Sequence, residues 1–267
     1  MNKALTIAGS DSSGGAGIQG DLKTFAANGV YGMSVITAIT AQNTQGVIAI
    51  EDISCELIQK QIEAIFEDLQ VDAVKIGMVS RSETINIVSN QLKKYHAANI
   101  VVDPVMVSKS GFHLLQPNAV NALIEHLFPL ATIVTPNIPE AEFITGVKIR
   151  NIIDMEAAAA GIHRLGPKKV LLKGGHLEDQ ATDILFDGDK CQRFKGERVF
   201  TKHTHGTGCT LAAAITANLA KGMELPVAIK LAKEYLTIAI SHSLAIGKGV
   251  GPTNHFYDLY RRAGLED

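Results

Sequence analysis

The chain has 267 residues, of which 46% are apolar, and its formal net charge at pH 7 is −2. This length and composition allow a full hydrophobic core, so we expect a single domain over residues 1–267. Acidic and basic residues are interspersed without long runs, which argues against a nucleic-acid partner. The three cysteines lie far apart in sequence, so we expect no disulfide framework and a reducing compartment.

Two apolar stretches raise the question of a membrane or secretion signal. The run over residues 4–8 is too short for the core of a signal peptide, and no cleavage pattern follows it. Residues 24–50 carry no charged side chain, but Asn, Gln and Gly interrupt them, which argues against a transmembrane span. We therefore expect a cytoplasmic protein with no membrane partner.

Short β-branched runs alternate with longer helical patterns along the chain. The predicted strands cover residues 4–8, 34–39, 73–76, 100–103, 132–135 and 170–173. The predicted helices cover residues 17–28, 54–69, 81–95, 117–128, 138–145, 154–165, 209–221, 226–246 and 254–262. The strands are almost entirely apolar, as expected where both faces of a sheet are covered. The pattern therefore predicts an α/β protein with a mostly parallel sheet wrapped by helices.

Residues 182–201 have a different pattern. Asp187-Gly188-Asp189 joins residues 183–186 to residues 190–194 as in a β-hairpin, and a further short strand is predicted near residues 198–201. We therefore expect an antiparallel edge.

Ligands of open parallel sheets bind beyond the carboxyl ends of the strands. The loops to search are thus residues 9–17, 41–46, 77–79, 104–111, 136–140 and 174–176.

The segment HTHGTGCT over residues 203–210 runs directly into an apolar helix. Such a turn directs unpaired backbone N–H groups at one point, where the helix dipole also favours an anion. Cys209 stands where the turn becomes the helix, and a helix N-terminus favours a thiolate, which accepts protons or attacks electrophiles. A cysteine there would also simply pack the helix start. With Gly206, Thr207 and Gly208 beside it, we favour the functional interpretation.

Residues 15–20 match the pattern G-x-G-x-x-G after the first predicted strand, which is typical of dinucleotide-binding enzymes. Such a site also needs an acidic residue about 20 positions further on to hold the ribose. Residues 35–46 contain no Asp or Glu, which argues against NAD. Asp21 follows the glycines, and its carboxylate would either face a ligand or stabilise the helix start; the sequence does not choose between the two.

Asn137 and Glu140 follow a predicted strand end. An amide and a carboxylate there suit the water shell of a Mg²⁺ ion that bridges nucleotide phosphates. Asn137 would equally cap the helix predicted from residue 138. Asp103 lies at another strand end, so the three residues together indicate a small acidic cluster for a metal ion.

Lys173 and Gln42 are further candidates at strand ends. Lys173 precedes two glycines and would meet nucleotide phosphates, or else be a solvated turn residue. Gln42 would read a heterocycle, because an amide presents a donor and an acceptor side by side, although the polarity of a loop explains it equally well. His205 and Cys209 are four residues apart, but the glycines between them argue against a helical zinc site.

Several segments in the same order resemble the ribokinase superfamily and, within it, the hydroxymethylpyrimidine/phosphomethylpyrimidine kinases of thiamine biosynthesis. The matching segments are GSDSSGGAGIQ at 9–19, AQNT at 41–44, KIGM at 75–78, DPVM at 103–106, TPN at 135–137 and HGTGCT at 205–210. The resemblance extends from Ala4 to Phe256. It implies a three-layer α/β/α ribokinase-like fold with an antiparallel edge hairpin, and a homodimer.

The resemblance implies ATP-dependent phosphorylation of 4-amino-5-hydroxymethyl-2-methylpyrimidine and then of its monophosphate. Mg²⁺ would accompany ATP, and a need for a monovalent cation stays open. In both steps positioning and charge stabilisation dominate. By similarity Cys209 is the base, and the N–H groups of Gly206, Thr207 and Gly208 stabilise the transferring phosphoryl group. Nearby phosphates would raise the pKa of the thiol even as the helix end lowers it.

The resemblance also implies roles for the remaining candidates. Lys173, Asn137, Glu140 and Thr207 would contact ATP, and Glu140 with Asp103 would organise the metal ion. Gln42 would read the aminopyrimidine, and the rest of its pocket would be formed by Gly9, Asp21, Met78 and Val105. The loop over residues 107–111 would close over the site, with Ser108 and Lys109 near phosphate.

Three other functions stay open. A pyridoxal kinase of the same branch is the nearest, because pyridoxine also carries a hydroxymethyl group on a planar nitrogen ring. A nicotinamide-dependent oxidoreductase is disfavoured by the missing ribose acid. A sensor that binds the pyrimidine without turnover would keep the same pocket.

Overall fold

The computed structural model describes residues 1–106, 114–116, 119–175 and 181–265. Within them nine strands form one sheet in the order β3-β2-β1-β4-β5-β6-β7-β8-β9. The strands are β1 (Lys3–Asp11), β2 (Tyr31–Asn43), β3 (Gly46–Asp52), β4 (Ala73–Ile76), β5 (Ile100–Val102), β6 (Ile133–Val134), β7 (Val170–Leu172), β8 (Asp183–Phe186) and β9 (Cys191–Phe194). From β2 to β7 the sheet is parallel, whereas β3 and β8 run antiparallel to their neighbours.

Helices cover both faces of this sheet. They are α1 (Gly17–Ala27), α2 (Cys55–Phe66), α3 (Ser82–Lys94), α4 (Ala119–Ala122), α5 (Ile138–Thr145), α6 (Ile152–His163), α7 (Thr207–Ala220), α8 (Leu225–Ser241) and α9 (Tyr257–Ala263). One apolar core joins the sheet to α2 through α6, and a second joins it to α1, α7 and α8. The expected three-layer α/β/α architecture is confirmed.

The strand β4 contributes side chains to the apolar cores on both faces of the sheet. Val74 and Ile76 contribute to the core under α2 through α6, whereas Ala73 contributes to the core under α7. Successive side chains of a strand point to opposite faces, so Lys75 lies on the α7 side. No helix that the structure describes is long and apolar enough to cross a membrane.

The structure corrects three predicted elements. The predicted strand at 34–39 extends over Tyr31–Asn43, and the unpredicted strand β3 pairs with it through a two-residue turn. That turn is Thr44-Gln45, which lacks the glycine signal of most tight hairpins. The predicted strand near residues 198–201 is wrong, because that described stretch forms no ladder. The helix predicted to reach residue 246 ends at Ser241.

The order of the strands places the site. From β1 the chain passes to β2 and β3 on one side, and then crosses to β4 on the other side. Two loops that leave β1 and β4 in opposite directions open a crevice beyond their carboxyl ends, which is where ligands of such sheets bind. The predicted antiparallel edge, formed by β8 and β9, lies at the far end of the sheet.

Candidate active site

A cavity of about 920 Å³ lies along the carboxyl edge of the parallel strands. Every loop singled out in the sequence contributes to its wall, as does the turn before α7. One lining residue from each of those six loops is Gly9, Gln42, Met78, Val105, Glu140 and Gly175. The cavity therefore lies where the sequence predicts a ligand site.

The turn before α7 forms one wall of the cavity. Gly206 is the N-cap of α7 with a φ of +82°, and Gly206, Thr207, Gly208 and Cys209 all line the cavity. The first N–H groups of a helix have no partner inside it and attract an anion. The N–H of Thr207 makes only a long bond of 3.4 Å to the carbonyl of Thr204. This wall is therefore suited to an anionic group.

Gly206 is held in close contact with the first glycine loop. A Cβ atom at this position would lie 1.9 Å from the carbonyl oxygen of Gly15, a distance that no side chain tolerates. Its positive φ is also a conformation that L residues adopt only with strain. Glycine at residue 206 thus allows the two loops to meet beside the cavity.

Cys209 is half-buried at the start of α7. Burial raises the pKa of its thiol to about 11, although Lys75 and the N–H of Gly17 oppose this shift. Burial thus outweighs the two contributions that favour a thiolate in the ligand-free protein, which differs from the expectation for a helix N-terminus. The thiol keeps its proton at neutral pH.

Asp21 lies behind the cavity, not in its wall. Its carboxylate accepts hydrogen bonds from Lys75 Nζ at 2.8 Å and from Thr6 Oγ1 at 2.6 Å, and both charged side chains are fully buried. Asp21 is not among the described residues that line the cavity, whereas Lys75 is. Asp21 was expected to form part of the substrate pocket. In the structure its carboxylate instead pairs with Lys75 behind the cavity wall.

Burial alone would lower the pKa of Lys75, but the contributions of Asp21, Cys209 and Asp103 together outweigh it, so the pKa lies above its ordinary value. The buried ammonium therefore stays charged. It brings a positive charge to the α7 side of the sheet, close enough to Cys209 to lower the pKa of the thiol. No local pattern predicts this role of Lys75, because its partner Asp21 is 54 residues away in the sequence.

Asp103 and Lys173 form a second ion pair in the cavity wall. Lys173 Nζ lies 2.8 Å from Asp103 Oδ1, which also accepts a hydrogen bond of 3.1 Å from Thr135. Burial raises the pKa of Asp103, but Lys173 and Lys75 outweigh it and hold that pKa below its ordinary value. A Cβ atom on Gly208 would lie 3.5 Å from Lys173 Nζ, so this ammonium is close to the turn before α7. The structure thus brings these predicted residues together.

Asn137 and Glu140 form a capping box at the start of α5. Asn137 Oδ1 accepts from the N–H of Glu140, and Glu140 Oε2 accepts from the N–H of Asn137, each at 2.8 Å. Burial raises the pKa of Glu140 to about 7, and Asp103 adds to this rise while Lys173 opposes it. The capping alternative for Asn137 is therefore confirmed, and Glu140 lies close to Asp103 and Lys173.

The predicted acidic cluster contains two carboxylates, Asp103 and Glu140. Within the described ranges no group of three His, Cys, Asp or Glu side chains is arranged to hold a metal ion. Two carboxylates nevertheless fit Mg²⁺, which keeps several waters and takes few protein ligands when it accompanies phosphates. Burial and the charge of Asp103 raise the pKa of Glu140, and a divalent cation bound to both carboxylates would oppose that rise.

Asp11 occupies the centre of the first glycine loop. Its carboxylate accepts hydrogen bonds from the N–H groups of Ser13, Gly15 and Ala16 at 2.8 to 3.1 Å. The amides that would hold a dinucleotide phosphate in a Rossmann loop are thus satisfied by the protein's own carboxylate. Residues 35–46 also lack the acidic residue that would hold the ribose. Both observations argue against a dinucleotide site at this loop.

The predicted pyrimidine-reading residues lie at the end of the cavity formed by β1, β2 and β4. Gln42 lines the cavity at the end of β2, and its side-chain oxygen accepts a hydrogen bond of 3.3 Å from Thr40. Gly9, Met78 and Val105 line the same cavity. A Cβ atom on Gly9 would lie 3.0 Å from Met78 Sδ, so the two residues are in contact.

The opposite end of the cavity, between β8 and α8, was not predicted from the sequence. Lys233 of α8 forms an ion pair of 2.5 Å with Asp183, which also accepts the N–H of Gly174 at 2.9 Å. Leu236 and Thr237 continue this wall. No local pattern reveals it, because Lys233 and Asp183 are 50 residues apart. The predicted loop over residues 107–111, with Ser108 and Lys109, lies outside the described residues.

The comparisons with known proteins agree with this geometry. The family model for phosphomethylpyrimidine kinase matches residues 11–254. A hydroxymethylpyrimidine/phosphomethylpyrimidine kinase of Rhizobium meliloti (strain 1021) is 57% identical over 262 residues, which are 97% of this chain and 98% of the relative.

Solved structures show the same likeness. A phosphomethylpyrimidine kinase from Clostridium difficile 630 has a TM-score of 0.81 and 56% identity, covering 90% of this chain and 100% of that chain. A pyridoxal kinase from Staphylococcus aureus, in complex with AMP-PCP and pyridoxal, has a TM-score of 0.88 and 36% identity, covering 96% and 93%. The ribokinase-like fold is confirmed, and the chain is a kinase that belongs to the phosphomethylpyrimidine kinase family.

Proposed function

We propose that this protein transfers the terminal phosphoryl group of ATP to the hydroxymethyl group of 4-amino-5-hydroxymethyl-2-methylpyrimidine, and then a second one to the monophosphate. The observation that carries the proposal is the cavity that Gln42, the turn before α7 and the Lys173–Asp103 pair all line. The names of the relatives support the choice of substrate.

In the proposed arrangement the turn before α7 receives the terminal phosphate. Its backbone N–H groups would stabilise the charge that spreads over the phosphoryl oxygens in the transition state. Lys173 would balance the remaining phosphate charge, because its ammonium is close to Gly208. The wall formed by Lys233, Leu236 and Thr237 would then hold the nucleoside end of ATP.

Cys209 is the proposed base for the alcohol. The acceptor oxygen forms a bond to phosphorus, the bond from phosphorus to ADP breaks, and the hydroxyl proton passes to Cys209 Sγ. With a pKa of about 11, the thiolate is about one molecule in 10⁴ at pH 7 in the free protein. Because the transition state of phosphoryl transfer is loose, we expect the hydroxyl proton to leave late in the transfer.

Asp103 and Glu140 are the proposed ligands of Mg²⁺, acting directly or through waters. When bound, the ion would neutralise charge on the β- and γ-phosphates. Asn137 would contribute by holding Glu140 in place through the capping box, since one of the carboxylate oxygens accepts its N–H.

We further propose that the protein is a cytoplasmic homodimer. Three free cysteines support a reducing compartment. The family resemblance implies the dimer, and sedimentation velocity tests it. A species of one chain, 28.5 kDa, at micromolar concentration would contradict it.

The test of the proposed function is an ATP-dependent assay with the pyrimidine alcohol and Mg²⁺, in which mass spectrometry counts the phosphates added. We expect the monophosphate first and the diphosphate later. Pyridoxal is the matched alternative substrate, because a relative with the same fold is a pyridoxal kinase in complex with pyridoxal. A larger kcat/KM for pyridoxal than for the pyrimidine would overturn the proposed substrate, and no ATP consumption would favour a sensor.

A further inference from the structure

The turn before α7 carries the proposed phosphate-binding amides. It follows an irregular segment, and its backbone pairs with the chain only in an isolated bridge between His205 and Pro252 among the described residues. One side chain connects it to the other side of the cavity. His205 Nε2 donates a hydrogen bond of 2.8 Å to Asp11 Oδ2, and these atoms belong to residues 194 positions apart. Both side chains are buried and line the cavity.

Asp11 is well suited to hold this contact. It ends β1, and its carboxylate also accepts the N–H groups of the glycine loop and the hydroxyl of Ser13 at 2.7 Å. Burial raises its pKa, but the hydrogen bonds from His205 and Ser13 outweigh it and keep the pKa far below its ordinary value. The carboxylate is therefore ionised, and it joins the glycine loop and the imidazole through the same oxygen atoms.

The backbone of His205 is held independently. Its N–H donates to the carbonyl of Gly251 at 3.1 Å, and its carbonyl accepts the N–H of Thr253 at 3.3 Å. A Cβ atom on Gly15 would lie 2.4 Å from the His205 ring, so the ring is packed flush against the glycine loop. The imidazole therefore has one available orientation, directed at Asp11.

We infer that Asp11 and His205 form a positioning pair, which fixes the loop beside the acceptor against the turn that receives the terminal phosphoryl group. The inference rests on the proposed function. In-line transfer requires the acceptor oxygen and phosphorus to lie about 3 to 3.5 Å apart, and a misplacement of about 1 Å costs roughly 10²-fold in rate. Neither side chain touches the reacting atoms in this role.

The pair also limits a side reaction. A loosened turn admits water beside the terminal phosphate, so ATP is hydrolysed without phosphorylation of the pyrimidine. The ratio of ADP formed to pyrimidine phosphorylated therefore rises when the turn is no longer held in position against the glycine loop. A variant that merely unfolds in part lowers both products equally and leaves this ratio unchanged.

The test compares wild type with His205→Ala, His205→Gln and His203→Ala. Glutamine keeps an N–H donor at the position of Nε2, and His203 is the matched control because its Nδ1 accepts from Gly251 N at 3.0 Å without contacting Asp11. For His205→Ala we expect kcat to fall by about 10²-fold, KM for ATP to change less than about threefold, and the ADP ratio to rise. His205→Gln restores most of kcat and the ratio.

The stoichiometry of ADP binding, measured by calorimetry, counts the folded molecules in each sample. Wild-type values of kcat and of the ADP ratio in His205→Ala, or an equal rise of the ratio in His203→Ala, would overturn the positioning pair. Failure of the wild-type protein to phosphorylate the pyrimidine would instead overturn the proposed function.

Discussion

At the start of α7, the thiol of Cys209 lies between a buried ammonium and two buried carboxylates. Lys75 lowers its pKa, whereas Asp21 and Asp103 raise it together with burial. The result is a thiol that is protonated at rest. The contribution of Cys209 as a base therefore depends on whether the acceptor must lose a proton during the transfer.

The two proposed acceptors differ in that need. The alcohol must lose a proton, whereas the attacking oxygen of the monophosphate is already deprotonated at pH 8, because the second pKa of a phosphate monoester is about 6. We therefore expect Cys209→Ala to lower kcat for the alcohol by about 10² to 10⁴-fold, with a much smaller change in KM for ATP. Phosphorylation of the monophosphate should fall far less.

Separate assays with each acceptor measure this difference. Cys191→Ala is the control, because Cys191 is a half-buried cysteine on the edge strand β9. Equal losses in both steps would contradict the role of Cys209 as a base for the alcohol alone, and near-normal turnover of the alcohol would remove the base role altogether.

Glu140 gives the protein a titration near neutral pH. Its pKa rises from 4.5 to about 7 on folding, so the folded protein binds a proton that the unfolded chain releases. This contribution to stability is complete below pH 4.5 and is lost as the pH rises through 7. Glu140→Gln keeps an oxygen for the N–H of Asn137 without the titration. We expect its melting temperature, relative to wild type, to rise from pH 5 to pH 8.

Thermal unfolding of both proteins at pH 5, 6, 7 and 8 without Mg²⁺ measures this trend. A difference in melting temperature that stays constant with pH would show that Glu140 does not titrate in this range.

At the scale of elements, the helix α7 has a glycine next to each end. The glycine at its start is needed for a close contact with another loop, whereas the glycine after its end is needed only for its backbone conformation. Gly206 and Gly222 have φ values of +82° and +79°, but a Cβ on Gly206 would meet Gly15 whereas one on Gly222 would meet nothing within 4 Å. We expect Gly222→Ala to cost about 1 kcal/mol with full activity. Gly206→Ala should cost more and abolish most of the turnover.

Urea unfolding and kcat of the two alanine variants test this contrast. If Gly206→Ala lost no more stability than Gly222→Ala and kept its activity, the close approach of the two glycine loops would be contradicted.

Local sequence patterns predicted elements well where the signal is local. The helix at residues 138–145 was predicted with its observed bounds, because Asn137 and Glu140 form a capping box within four residues. The strand β3 has no clear sequence signal, because none of its residues is fully buried and it follows a turn without glycine. Residues 198–201 include β-branched and aromatic side chains typical of a strand. In the structure Phe200 is 91% exposed, and Arg198, Val199 and Thr201 line the cavity.

At the scale of the whole molecule, the parallel sheet gathers the site from distant parts of the chain. The rule that ligands bind beyond the carboxyl ends of the strands was enough to predict which loops meet. It could not predict the charge pairs inside the site. Asp103 and Lys173 are 70 residues apart and Asp11 and His205 are 194 apart, so only the fold determines which carboxylate meets which cation.

The central claim is that the turn before α7 holds the terminal phosphate of ATP beside Cys209. A crystal structure with AMP-PCP, Mg²⁺ and the pyrimidine alcohol tests it most directly. The account predicts that terminal phosphate oxygens lie about 3 Å from the backbone nitrogens of residues 206–209, with the alcohol oxygen in line with phosphorus. A terminal phosphate located beside Lys233 and Asp183 instead, remote from that turn, would contradict the account.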